Sequence, residues 1–129
     1  MDLDAATTAR AAGAARAAIG IALLAAPGPS GRRWLGDVAD RPGAQVAIAG
    51  LGARDLALGL GTAWAAGGRK RGARAWVIAS GAADLADLVG TLRAREALST
   101  ASVIGTVALA GGSAALCAWL QSELGRAVP

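Results

Sequence analysis

The chain has no histidine, no phenylalanine and no tyrosine, and its 129 residues include a single cysteine, Cys117. Without histidine, zinc, haem and imidazole acid–base chemistry lack their commonest protein group. One cysteine excludes an intramolecular disulfide. The only aromatics are four tryptophans, and the basic residues sit mostly at the ends of apolar segments. The net charge of +4 and pI near 11.0 therefore do not form the concentrated basic face with stacking rings that nucleic-acid binding requires, and no nucleic-acid partner is expected. No serine, threonine or cysteine is accompanied by a recognisable base, so no catalytic nucleophile is visible. No cofactor- or metal-binding residues are expected either.

Hydrophobic residues make up 54% of the chain, and the mean hydropathy is +0.46. Much of this is alanine, accompanied by 19 glycines. Such side chains bury little area each, so a core formed in water would be thin. In lipid the same residues are an asset, because they let helix backbones approach closely.

Four apolar segments stand out. The first runs from about Thr8 to Ala26, with Asp4, Thr7 and Thr8 as candidate caps, and ends at Pro27-Gly28-Pro29. The second, 43–68, follows Arg41-Pro42 and stops before Arg69-Lys70-Arg71. The third and fourth cover roughly 73–92 and 98–120. At ~1.5 Å per residue they reach about 28 to 39 Å, long enough to cross a bilayer. This predicts an all-α, integral membrane four-helix up-down bundle in one domain, with the lipid bilayer as its first partner. A soluble bundle is disfavoured by the fourth segment, which has no charge between Glu96 and Glu123 and so no polar face. A signal-peptide reading of the first segment is opposed by Asp2, Asp4 and Pro27.

The tryptophans fit this division. Up-down connection places Trp64, Trp76 and Trp119 at one membrane face and Trp34 near the other, where interfacial aromatics belong. Arg10, Arg69, Lys70, Arg71, Arg74 and Arg126, with Arg16 if it snorkels, share the side of the termini, against Arg32, Arg33, Arg41, Arg93 and Arg95 opposite. Seven against five favours cytoplasmic termini.

The candidate functional residues are charges inside the apolar segments: Arg16, Arg54, Asp55, Asp84 and Asp87. A bilayer tolerates such side chains only when they find partners. Counted from the Trp34 side, Arg16 and Asp55 lie at similar depths of about 16 and 18 Å, with Asp84 at about 12 Å and Asp87 shallower. Arg54 and Asp55 are adjacent and project about 100° apart, so they serve different neighbours. The expectation is that Asp55 faces Arg16, while Arg54 faces both Asp84 and Asp87. Two arginines against three aspartates leave one formal negative charge, with Asp84 or Asp87 protonated or shared. The network either pins helix register or binds a proton, cation or polar head group.

Small residues form rows at Gly59-Ala63-Gly67, Ala101-Gly105 and Ala108-Gly112, which suit close helix contact. Ser80, Ser102, Thr106 and Ser113 offer a polar seam. Gly50-Leu51-Gly52 lacks the preceding strand and third glycine of a nucleotide loop.

The segments Arg16-Ala17-Ala18-Ile19-Gly20-Ile21, Gly52-Ala53-Arg54-Asp55-Leu56-Ala57-Leu58-Gly59 and Asp84-Leu85-Ala86-Asp87 resemble a family of small bacterial four-span membrane proteins classed as a domain of unknown function. In architecture the chain also resembles DoxX-type four-helix proteins, some of which associate with quinone-linked oxidoreductases. The resemblance implies a multi-pass protein of the bacterial inner membrane and no particular reaction. The expected function is a non-enzymatic accessory or structural subunit, forming a homo-oligomer or joining a larger membrane protein. The alternatives are a small proton- or cation-coupled transporter and a DoxX-like redox accessory; one cysteine and no histidine disfavour the latter.

Overall fold

The computed structural model describes residues 4–68 and 70–126 and is helical throughout, with no strand among the described residues. Asp2 and Arg69, used above for the signal-peptide and orientation arguments, lie outside the described residues. Five helices follow one another: α1 (Ala5–Ala25), α2 (Pro27–Leu35), α3 (Pro42–Ala66), α4 (Lys70–Arg93) and α5 (Thr100–Arg126). Short 3₁₀ turns at Gly36–Asp40 and Arg95–Ala97 link α2 to α3 and α4 to α5. Four of the five, all except α2, are long and apolar enough to cross a membrane.

Local chemistry explains the boundaries. Asp4 caps α1 by accepting from the Ala6 and Thr7 amides, and the Thr7 and Thr8 hydroxyls turn back onto Asp4 from inside the helix. Pro27 and Pro42 occupy first helical turns, where a missing amide proton costs nothing. Gly36 ends α2 at φ 61°, a conformation that suits glycine. Ser99 caps α5 through the Ser102 amide. The fourth segment, expected to end near Leu120, continues to Arg126, because Leu124 is buried and holds the last turns against the bundle.

The first connector, read from its prolines and glycines as a break, is instead largely helical. In α2, Gly31 leaves room for Ile48 of α3, Trp34 donates from Nε1 to Thr91 Oγ1 of α4 at 3.0 Å, and the Arg33 carbonyl accepts from Ser102 of α5. Outside, Arg32 makes a two-pronged ion pair with Asp40. That hydrogen bond raises the Arg32 guanidinium above its ordinary value, with the Asp40 charge contributing in the same direction.

The closest helix approach is between α1 and α3, which run antiparallel. An added Cβ on Gly59 would sit 2.4 Å from the Ala17 amide nitrogen, and one on Gly20 would sit 2.4 Å from that of Leu56. Of the expected row Gly59-Ala63-Gly67, Gly59 and Ala63 press on Gly13 and Ala17, while Gly67 is the C-cap of α3 and meets only carbonyls of its own helix. The rows on α5 do something else: Gly105 and Gly112 have no neighbouring atom within 4 Å of an added Cβ. Both line open space beside the bundle, and the helix between them is not a regular α-helix. A π-turn at Val107–Gly111 widens it there.

Packing then runs from α3 to α4, with the Trp76 ring lying over Gly61, and from α4 to α5, with Gly81 against Cys117 and Arg74 against Gly125. These pairs place Trp64, Trp76 and Trp119 towards one end of the bundle and Trp34 at the other, as expected. Around the first end, Ala9, Ala65, Ala73, Val77, Leu120 and Leu124 form the main apolar cluster. Contact between α1 and α5 is slight.

Candidate functional site

Side chains on a helix lean towards its N-terminus, and this rule sorts the charged residues into pairs. The N-terminus of α3 lies at the Trp34 end, so Arg54 leans that way and meets Asp87 in a two-pronged pair, Nη1 to Oδ1 at 2.9 Å and Nη2 to Oδ2 at 2.6 Å. Helices α1 and α4 begin at the opposite end, and Arg16 and Asp84 both lean there. Arg16 Nη2 lies 2.5 Å from both Asp84 oxygens, while its Nη1 donates to Asp55 Oδ1 at 3.1 Å.

All five expected residues are therefore brought together, with two corrections to their pairing. Asp84 belongs to Arg16 and not to Arg54, because counting depth along the axis ignores the opposite lean of the two arginines. Arg54 and Asp55 serve different helices, α4 and α1, as expected from their 100° separation. They are also bonded to each other, since the long arginine folds back so that Nε and Nη2 reach Asp55 Oδ1 at 3.2 and 3.1 Å. The result is an alternating chain, Asp87–Arg54–Asp55–Arg16–Asp84, that starts and ends on α4. Arg16 also meets Ser113 Oγ of α5 at 3.2 Å, so four helices share one network. Being held inside, Arg16 no longer counts among the basic residues at the terminal side, and the orientation bias narrows to six against five.

Burial is graded along this chain. The Asp84 side chain is 7% exposed and Arg16 12%, against 29% for Arg54 and 25% for Asp87. Charge-assisted and two-pronged bonds of this kind are the strong ones, and removing one partner leaves the other uncompensated.

Beside the network lies a cleft of about 1000 Å³, lined by residues of all five helices. Ala108, Leu109 and Ala110, three consecutive residues of the π-turn, all line it, more than one face of a regular helix presents. The seam of hydroxyls divides by role. Thr62 and Thr106 bond the carbonyls of their own helices, Ser102 reaches α2, and Ser113 meets Arg16. Ser80 Oγ, in a residue 4% exposed, is the one buried side-chain polar atom without a hydrogen-bond partner among the described residues. Cys117 also lines the cleft. The cleft was not legible in the sequence, since it depends on how all five helices pack and takes in a π-turn that no residue type announces. Gly50-Leu51-Gly52 is interior to α3, where Gly52 packs on Gly20 and Leu23.

Comparisons with protein-family models, with curated proteins and with solved structures find no match for this chain.

Proposed function

We propose that this chain is a four-span integral protein of the bacterial inner membrane, an up-down bundle in which α1, α3, α4 and α5 cross the bilayer and α2 lies at one interface. The observation that carries this reading is the inverted distribution of side chains. Val46, Leu60, Trp64, Ile104 and Leu109 are well exposed, the first at 75%, while Thr62, Ser80, Asp84, Thr91 and Ser102 are buried. In water such a surface would be an aggregation liability. In lipid it is the expected one, because association there relies on small residues, polar contacts and compensated charges.

In this reading the protein is an accessory or structural subunit. The ion network joins the tightly packed α1–α3 pair to α4 and α5 and selects one register, a role suited to a bundle whose interior has few large side chains. The partner is lipid together with a second copy or a larger membrane protein. The termini face the cytoplasm, where the positive-inside bias puts them.

Membrane fractionation tests the proposal. The protein should remain in the pellet after alkaline carbonate and high-salt washing. Release into the supernatant by either would overturn the four-span reading.

A further inference from the structure

Three arginines and three aspartates line the cleft: Arg16, Arg33, Arg54, Asp55, Asp84 and Asp87. Five of them hold one another. Arg16 donates to both oxygens of Asp84, Arg54 to both of Asp87, and Asp55 accepts from the two arginines. Arg33 stands outside this arrangement: it is exposed, and its side chain makes no hydrogen bond or ion pair with any described residue. Its neighbour Arg32, by contrast, is held by Asp40. The Arg33 carbonyl accepts from Ser102, which fixes the residue at the α2 end of the cleft. Other polar groups at that end are already used, since Ser30 Oγ donates to the Ala22 carbonyl and Trp34 Nε1 to Thr91.

From Ser102 the lining continues along α5 to Leu120, a distance of about 27 Å by helical rise. A volume of about 1000 Å³ drawn out over that length makes a long, narrow space, better suited to an alkyl chain than to a compact ring system. Its walls are apolar, with Leu23 and Leu51 on one stretch and Val77 and Leu116 on the other. Organic ligand sites combine such walls with a few polar groups that fix orientation. Here the free guanidinium of Arg33 is that group.

We propose that the cleft holds one acyl chain of an anionic phospholipid, whose phosphate accepts a two-pronged hydrogen bond from the Arg33 guanidinium at the α2 end. The planar fork of an arginine matches a phosphate in this way. In the four-span reading Arg33 and Trp34 lie at the level of the lipid head groups, so the phosphate is already at the right depth. Ile19 and Leu109 line the cleft and are themselves well exposed, which leaves it open to a chain coming from the bilayer. The ion network keeps all its bonds. This inference rests on the four-span reading and deepens it by naming the ligand class.

The full chain in a nonionic detergent, mixed with equal amounts of dioleoyl phosphatidylglycerol and dioleoyl phosphatidylcholine, should retain one phosphatidylglycerol in native mass spectrometry. Arg33→Gln should weaken that retention about tenfold, through loss of a charge-assisted bond. Arg93→Gln is the control: it removes an equal charge at the end of α4 near Thr91 and Trp34, from a residue that does not line the cleft, and should leave retention unchanged. Gly112→Leu tests the chain's place separately, because it narrows the cleft from a position with no neighbour within 4 Å; retention should be lost while helicity and elution volume stay as they were. Equal retention of the two lipids, equal losses from Arg33→Gln and Arg93→Gln, full retention by Gly112→Leu, or a preference for oleate over phosphatidylglycerol would each overturn the proposal. Release of the protein from membranes by carbonate fails the four-span reading itself, whereas a chain that stays in the pellet and retains no phosphatidylglycerol fails this inference alone.

Discussion

Replacing Gly20 or Gly59 by alanine adds one methyl group at the place where two backbones touch. At each position the new Cβ would lie 2.4 Å from a backbone nitrogen of the opposite helix. Ordinary contact needs about 1 Å more, and backbone cannot rotate aside as a side chain can, so α1 and α3 must separate locally. Overpacking of this kind costs about 1 to 3 kcal/mol, with rigid neighbours at the upper end. Alanine's better helix propensity returns about 1 kcal/mol, leaving a net loss of about 2 kcal/mol for either variant. Gly90 of α4 is the control: nothing lies within 4 Å of its added Cβ, so Gly90→Ala should be neutral or gain up to about 1 kcal/mol. Unfolding by sodium dodecyl sulfate in mixed micelles, followed by tryptophan fluorescence and far-ultraviolet circular dichroism, measures the difference. The double variant Gly20→Ala/Gly59→Ala should lose less than the sum of the two, because one separation of α1 from α3 relieves both clashes. If Gly20→Ala and Gly90→Ala move the transition midpoint the same way, the backbone contact between α1 and α3 is wrong.

Three further outcomes follow from the ion network, the hydrogen bonds and the topology. Asp84→Ala should lower stability by about 3 to 5 kcal/mol in the same assay, since it leaves the buried Arg16 with less compensation; Arg32→Ala, which breaks only the exposed pair with Asp40, should have a much smaller effect, and equal shifts would argue against a buried network. Trp34→Phe should cost about 0.5 to 1.5 kcal/mol through loss of the bond to Thr91, and the triple combination with Thr91→Val and Arg32→Ala should show coupling only between Trp34 and Thr91. Single cysteines placed at either terminus, after Cys117→Ser, should react with an impermeant maleimide only in permeabilised cells; labelling in intact cells would invert the orientation.

The long helices were legible because each apolar segment ends in a strong signal: Pro27 after the first, the basic Arg69-Lys70-Arg71 run after the second, of which Lys70 and Arg71 already begin α4, and charged residues around the others. The meeting of Arg16, Arg54, Asp55, Asp84 and Asp87 was legible from charge compensation and depth. The pairing within that group was only half legible. Depth counting treats a side chain as a point on the axis, and Arg16 and Arg54 lean in opposite directions along the bundle by several ångströms, enough to give Asp84 to one and Asp87 to the other. Helix α2 was hidden because Pro-Gly-Pro reads as a terminator although Pro27 also starts a helix well. The π-turn of α5 has no compositional mark, so the run Ala108-Leu109-Ala110 along the cleft could not be foreseen.

The contact between Gly20, Gly52, Gly59 and Ala17 also bears on how this protein can change over generations. A glycine codon becomes an alanine codon by a single base change, so the most confined positions in the molecule are one mutation away from their most harmful conservative neighbour. At Val46 or Leu60, exposed on the outside, an exchange among aliphatic residues alters almost nothing that the fold depends on. If the chain spans a membrane as proposed, tolerance is the reverse of that in a water-soluble domain: bulk on the surface is free to change, while the smallest side chains are the ones that cannot be exchanged.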